Sequence, residues 1–141
     1  MNKYIIIILS ILCLCGCNRL VEYDYTTILI LKNNSSHTIA IKGNSDIYKM
    51  DCSINSGESY SGIESEDMPL PVGFLFGGRC IVTFDDKIEV EHSTTTERSL
   101  CNENSYSVKV SGRHDTETTY TYVFTDEDYE RAVAANAESG E

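Results

Sequence analysis

Two hydrophobic patterns divide the chain. Residues 4–14 form an apolar run, interrupted only by Ser10, behind a short basic start, whereas from Thr26 onward apolar and polar residues alternate in brief segments. Alternation with period two places side chains on opposite faces of a strand. His37–Lys42 shows it, Thr26–Lys32 is β-branched and apolar, and the turn-forming Asn33-Asn34-Ser35-Ser36 lies between them, which predicts an opening β-hairpin. Met50, Cys52 and Ile54 predict a third strand, and Ser56–Gly62 a turn with a short strand. From Ile63 to Arg79 the chain holds Pro69, Pro71, Gly73, Gly77 and Gly78, so irregular backbone is expected, with Phe74, Leu75 and Phe76 tucked onto the core.

Cys80, Val82 and Phe84 then share a strand face, Asp85-Asp86-Lys87 makes a tight turn, and Ile88, Val90 and His92 continue on the return strand. After the polar Ser93–Glu97 loop, Ser105–Val110 alternates again. A turn at Gly112 leads into Glu117–Phe124, where Tyr120, Tyr122 and Phe124 form an aromatic stripe suited to a sheet interface. Only the end reads as helix. Thr125 can cap it, Asp126, Glu127 and Asp128 suit its positive dipole end, and Tyr129, Ala132 and Val133 give an apolar side. Seven or eight such short strands predict an all-β fold, an antiparallel β-sandwich of immunoglobulin-like layout with a short C-terminal helix, over residues 26–136. A closed barrel is the alternative, and residues 137–141 are expected to fray.

The apolar run is too short to span a bilayer, which takes about 20 residues, and reads as the core of a signal peptide. It ends in Leu14-Cys15-Gly16-Cys17, which resembles the lipobox of bacterial lipoproteins, although Cys15 stands where that family more often has Ala, Ser or Thr. The resemblance implies removal of residues 1–16, lipid on Cys17, and a tether over residues 17–25. Residues 18–25 reach about 25 Å when extended, so the domain would stand close to a membrane. Asn18 is not the Asp that marks inner-membrane retention, and no acidic cluster follows Cys17 as in surface-export signals. The resemblance therefore implies the outer membrane, periplasm-facing by default, with surface exposure as the alternative. The body is also similar to small uncharacterised lipoproteins of Bacteroidota. The likeness rests on the Asn-Asn-Ser-Ser-His turn at 33–37, Ser56-Gly57-Glu58-Ser59-Tyr60, Val82-Thr83-Phe84-Asp85-Asp86, and the segment from Tyr120 to Tyr129. It implies an envelope setting and a β fold, and no site.

The chain carries 22 acidic and 11 basic residues, a formal charge of −11, and loss of the leader with its single Lys3 would leave 125 residues at −12. That is one domain with one core. Its charge would repel nucleic acid and anionic headgroups and favour cationic partners. With Cys13 and Cys15 removed and Cys17 blocked, Cys52, Cys80 and Cys101 remain, which in an oxidising envelope predicts one disulfide and one leftover thiol. Cys80 with Cys101 is the expected pair, because each adjoins a strand-like run. Cys52 with Cys80 is the alternative.

Little in the sequence points to chemistry. His37, His92 and His114 show no metal-ligand spacing and read as surface residues, and three cysteines without a nearby His make a poor zinc site. Gly57-Glu58-Ser59-Tyr60-Ser61-Gly62 misses the nucleophile-elbow spacing by one residue, and Gly77-Gly78-Arg79 lacks the continuation of a phosphate loop. Turn and cap formation account for Asp85-Asp86 and for Asp126–Glu130. The expectation is therefore no enzyme, no cofactor and no metal: a non-catalytic envelope module that binds a protein or glycan partner. The 63–79 segment would serve as contact surface or as cover for a sheet edge. A structural or adhesin-like subunit of a surface assembly is the second reading, and an envelope hydrolase the third.

Overall fold

A computed structural model describes residues 24–138. The expectations for the signal peptide, Cys17 and nearly all of the tether fall outside the described residues. Strands β1 (Tyr25–Asn33), β2 (Ile39–Gly43), β3 (Asp51–Ile54) and β4 (Ser59–Glu66) precede the short helix α1 (Val72–Leu75). Strands β5 (Arg79–Phe84) and β6 (Ile88–Ser93), a 3-10 turn at Glu103–Ser105, β7 (Ser107–Ser111), β8 (Thr116–Phe124) and helix α2 (Asp126–Glu138) follow. The strands form two four-stranded sheets, ordered β4-β1-β8-β7 and β3-β2-β5-β6. The fold is all-β and two-layered, as the alternation predicts, and no described strand pairs across the sheets to close a barrel.

One pairing departs from the antiparallel expectation. β1 and β8 run parallel, from Tyr25 beside Thr116 to Asn33 beside Phe124, whereas every other described pairing is antiparallel. The composition of β1 explains its central place. Thr27, Leu29 and Leu31 are buried on its inner face while Ile28 and Ile30 are half-buried on the other, so it is apolar on both sides, as an interior strand should be.

The expected opening hairpin is not formed, because β1 and β2 lie in different sheets. Residues 33–38 instead carry the chain across the sandwich, and the Asn33 side chain sets that corner. Fully buried, its Nδ2 donates to the carbonyls of His37 (2.7 Å) and Ile54 (2.9 Å), and its Oδ1 accepts from Ser35 N (3.0 Å) and Ser35 Oγ (2.7 Å). Thus β1, the turn and β3 are joined through one amide. A second difference is the length of β4, which runs to Glu66 through the stretch expected to be irregular. Pairing with β1 holds it over the whole length, from Lys32–Ser59 to Tyr25–Glu66, although it lies at the sheet edge and its side chains are mostly exposed.

Between the sheets lie Leu29, Leu31, Ile39, Ile41, Ile54, Val82, Phe84, Tyr122 and Phe124, with Val72, Leu75, Phe76 and Leu100 closing one end. Full burial of side chains this size is worth about 2–3 kcal/mol each before entropy is set against it. The aromatic stripe on β8 is buried as expected, and the Tyr122 ring packs against Phe124 at 4.7 Å and Tyr106 at 5.4 Å. Helix α2 starts where the cap predicts: Thr125 N donates to Asp128 Oδ2 (2.9 Å), and Asp128 N to the Thr125 carbonyl (3.0 Å). Ala132 is buried and Tyr129 stacks on His37 at 3.7 Å, but Val133 points outward. The helix continues to Glu138, past the point where fraying is expected.

Because Asn33 is buried with both amide atoms in use, Asn33→Ala should cost about 3 kcal/mol by leaving carbonyls and a backbone N–H without partners. The neighbouring exposed Asn34→Ala should change stability by less than about 0.5 kcal/mol. Urea unfolding of the two variants, followed by far-UV circular dichroism, measures the difference.

Candidate binding clefts

The two ends of the sandwich are built differently. At one end the corner at 33–38, the β5–β6 turn and the start of α2 converge, and their polar groups satisfy one another. Asp85 and Asp86 take left-handed φ values of 51° and 55° in the three-residue connection between β5 and β6, and Lys87 N closes the turn on the Phe84 carbonyl at 2.9 Å. Asp85 also accepts from His37 Nδ1 (2.6 Å) and Thr38 N (2.9 Å), and the His37 bond holds its carboxyl below the usual range. Asp126 Oδ1 accepts from Ser36 N (2.7 Å) and Ser36 Oγ (3.0 Å). The Ser36 hydroxyl beside His37 is thus committed to a carboxylate, and this end is a set of fasteners.

On the flank of the domain, α2 and the chain after β6 enclose a charged cleft of about 470 Å³ lined by His92, Arg98, Asp128 and Arg131 among others. Asp128 was legible in the sequence as a helix cap, but its partner thirty residues away was not. Arg98 donates to it from Nε (2.7 Å) and Nη2 (3.1 Å), also reaches the Val123 carbonyl (2.7 Å), and lies 5.0 Å from the Tyr122 ring centre. Arg131, Thr125 N (2.9 Å) and Thr125 Oγ1 (3.4 Å) complete the shell. Burial pushes the Asp128 carboxyl up, but the hydrogen bonds from Arg98, Thr125 and Arg131 outweigh it and hold the group ionised at lower pH than usual. A carboxylate with five hydrogen bonds on it has no lone pair left for proton transfer.

His92, expected at the surface, is buried, with only 7% of its area exposed. Its Nδ1 accepts from Leu100 N at 3.1 Å, which assigns the proton of the neutral ring to Nε2. Burial, with Arg98 and Arg131 adding to it and Asp128 opposing, lowers its pKa to about 4. Of the other histidines, His37 is engaged as above, and His114 lies exposed in the turn before β8. The described residues contain no cluster of three or more His, Cys, Asp or Glu side chains able to hold a metal.

The end of the sandwich where β1 begins is the less finished one. Here the Asn44–Tyr48 loop and the segment after β4 leave Ile47, Met68 and Phe74 exposed, at 81, 67 and 64%. Segment 71–78 does tuck onto the core through Val72, Leu75 and Phe76, but Phe74 turns away from it. An open apolar cleft of about 490 Å³ results, lined by Pro71, Gly73, Phe74, Gly77, Gly78 and Cys101, with Thr94 and Glu103. Glycine is required in its floor. A Cβ on Gly73 would come within 2.9 Å of the Cys101 carbonyl, and Gly77 combines a φ of +67° with backbone 2.7 Å from where its Cβ would stand.

All three described cysteines are free thiols. The expected pair is nevertheless brought together: the Cys80 and Cys101 sulfurs are 3.9 Å apart, beyond the ~2.05 Å of a bond. Cys52 and Cys80 are not adjacent. They sit on β3 and β5 with β2 between them, and two strand spacings amount to about 10 Å, outside the reach of a disulfide. Cys52 is half-buried, and burial raises its pKa to about 11.

No protein-family model matches the chain, and no curated protein is similar to it. Among solved structures, it is similar over 77% of its length to 84% of the dioxygenase domain of a dioxygenase carbohydrate-binding protein fusion from the cellulolytic bacterium Streptomyces sp. SirexAA-E. The identity is 10% and the TM-score 0.30. That degree of likeness transfers no residue and no chemistry to this chain.

The buried neutral His92 makes stability depend on pH. Its pKa falls from 6.5 in an unfolded chain to about 4 here, so the folded state binds fewer protons, and this contribution is complete above pH 6.5. It should be lost as pH drops toward 4, by at most about 3 kcal/mol. Melting temperatures measured from pH 7.5 to 4 should fall more steeply for wild type than for His92→Gln.

Proposed function

We propose that the chain is a lipid-anchored, non-catalytic binding module of the bacterial cell envelope, held at the outer membrane through Cys17. Its partner is a protein segment that places an apolar side chain in the cleft beside Phe74. The observation that carries this reading is the cleft itself: apolar, open, floored by glycine backbone, and lipped by a phenylalanine with 64% of its area in water. An exposed aromatic beside a groove without side chains gives an incoming ring or aliphatic chain two surfaces to pack against. A glycan would need more hydrogen-bonding groups than this lining presents. Glu103 at the rim and the overall acidity favour basic residues flanking the inserted side chain. The lipobox resemblance and the leader pattern support the anchor, and the tether joins at the same end as the cleft.

One observation favours the second reading, a subunit of a surface assembly. β7 pairs on one side only, with β8, and all five of its residues are exposed, Val108 and Val110 at 50 and 63%. Such an edge can accept another strand. If it does so, the purified protein forms oligomers that Val108→Lys with Val110→Lys disperses, as read by light scattering.

Two measurements test the primary reading. Mass spectrometry of the protein purified from bacterial membranes should show acyl groups on Cys17, and Cys17→Ala should move it to the soluble fraction. The lipidated protein in nanodiscs, titrated with the peptide Lys-Lys-Phe-Lys-Lys, should show amide shift changes at Gly73, Gly77 and Gly78. Lys-Lys-Ala-Lys-Lys should not produce them, and Phe74→Asp should weaken binding about tenfold, the loss of roughly 1.4 kcal/mol. Equal binding of both peptides, or an undiminished response in Phe74→Asp, removes the cleft as the site.

A further inference from the structure

We propose that Cys80 and Cys101 are joined by a disulfide in the oxidising envelope, and that this bond fixes one wall of the apolar cleft. The site it acts on rests on the binding reading above. Both thiols are buried, at 2 and 4% exposure, and the sulfurs are 3.9 Å apart, so bonding requires them to approach by about 2 Å. Their surroundings differ. Cys80 sits on β5, which is paired on both sides by β2 and β6 and is the firm member of the pair. Cys101 belongs to the irregular stretch between β6 and β7, held through Ser99 Oγ on its own N–H (3.0 Å) and Tyr106 Oη on the Leu100 carbonyl (2.6 Å). A covalent bond would tie this stretch to the centre of a sheet.

The consequence reaches the cleft because Cys101 lines it and α1 rests against the Cys101 backbone at Gly73. The position of that backbone therefore sets the distance between the glycine floor and the Glu103 rim. The two thiols are also chemically unequal. A hydrogen bond from Cys80 favours the Cys101 thiolate, whereas Cys80 is pushed up by the same contact and by burial. Cys101 is accordingly the attacking sulfur, its stretch being the less firmly held of the two.

The oxidant is a low-molecular-weight disulfide, RSSR. The Cys101 thiolate attacks one of its sulfurs, forming a mixed disulfide and releasing RS⁻, which takes up the proton that Cys101 gave. Cys80 then loses its proton and attacks the Cys101 sulfur, expelling the second RS⁻, which is protonated in turn. The net change converts two protein thiols and RSSR into one intramolecular disulfide and two RSH, with both electrons ending on the former oxidant. Cys52, two strands from Cys80, remains a thiol.

The mature lipidated protein incubated with glutathione disulfide, alkylated and digested, should yield a Cys80–Cys101 linked fragment with Cys52 alkylated. Alkylation of all three thiols, or a linkage through Cys52, overturns the proposal. Reduction should lower Tm by about 10 °C in wild type. It should leave Cys101→Ser unchanged, and an equal response in both overturns the assignment. Hydrogen exchange at residues 94–106 and 73–78 should quicken at least threefold on reduction, and unchanged exchange removes the effect on the cleft wall. Because exchange needs no ligand, failure of the basic peptide to bind in either redox state would count against the binding reading alone.

Discussion

The chain crosses from one sheet to the other directly after its first strand, and the buried side chain of Asn33 makes that crossing hold. A hairpin would have been the local solution for two β-rich segments separated by four turn residues. Instead the amide takes two carbonyls and offers its oxygen to Ser35, which turns the chain away from β1 and sets β2 against the far sheet. The remainder of that sheet follows from β2, since β3 and β5 both pair with it. The polar end of the sandwich follows as well, because His37 and Ser36, presented by the same corner, are what Asp85 and Asp126 bind.

From that constraint the two ends acquire different characters. The corner end has each turn tied to another by a charged or amide group, with Tyr129 of α2 stacked on His37 as a lid. The opposite end relies on hydrophobic contact by Leu75, Phe76 and Leu100 and leaves apolar side chains uncovered. Between them, Arg98 and Asp128 fasten the stretch after β6, which has no regular structure at Arg98, to the start of α2. Rigid support on one side and an unfinished surface on the other is the arrangement expected where a scaffold presents a contact surface.

Much of the strand content was legible because burial on one face writes itself into the sequence with period two, as at Cys80, Val82 and Phe84 or at Tyr120, Tyr122 and Phe124. Partners were not. Nothing local distinguishes a strand that pairs with the next one from one that crosses a sandwich, so β1 and β2 read as a hairpin, and the parallel β1–β8 pair had no signal at all. The same limit applies to the sites. Asp128 could be placed as a cap from its neighbours, whereas its ion pair with Arg98 and the burial of His92 depend on a fold that brings distant segments together. The glycines at 73, 77 and 78 did mark the cleft, but the outward turn of Phe74 was set by α1. Cys80 and Cys101 were the expected neighbours, and strand order now separates them from Cys52.

The parallel contact between β1 and β8 joins the first strand of the domain to the last, about ninety residues later. During synthesis, β1 therefore waits until nearly the whole chain has emerged before its central neighbour exists, and no N-terminal fragment can complete the sheet. Contacts of such high sequence separation also slow folding after release. The sheet around β1 therefore closes only after the chain up to β8 has been made.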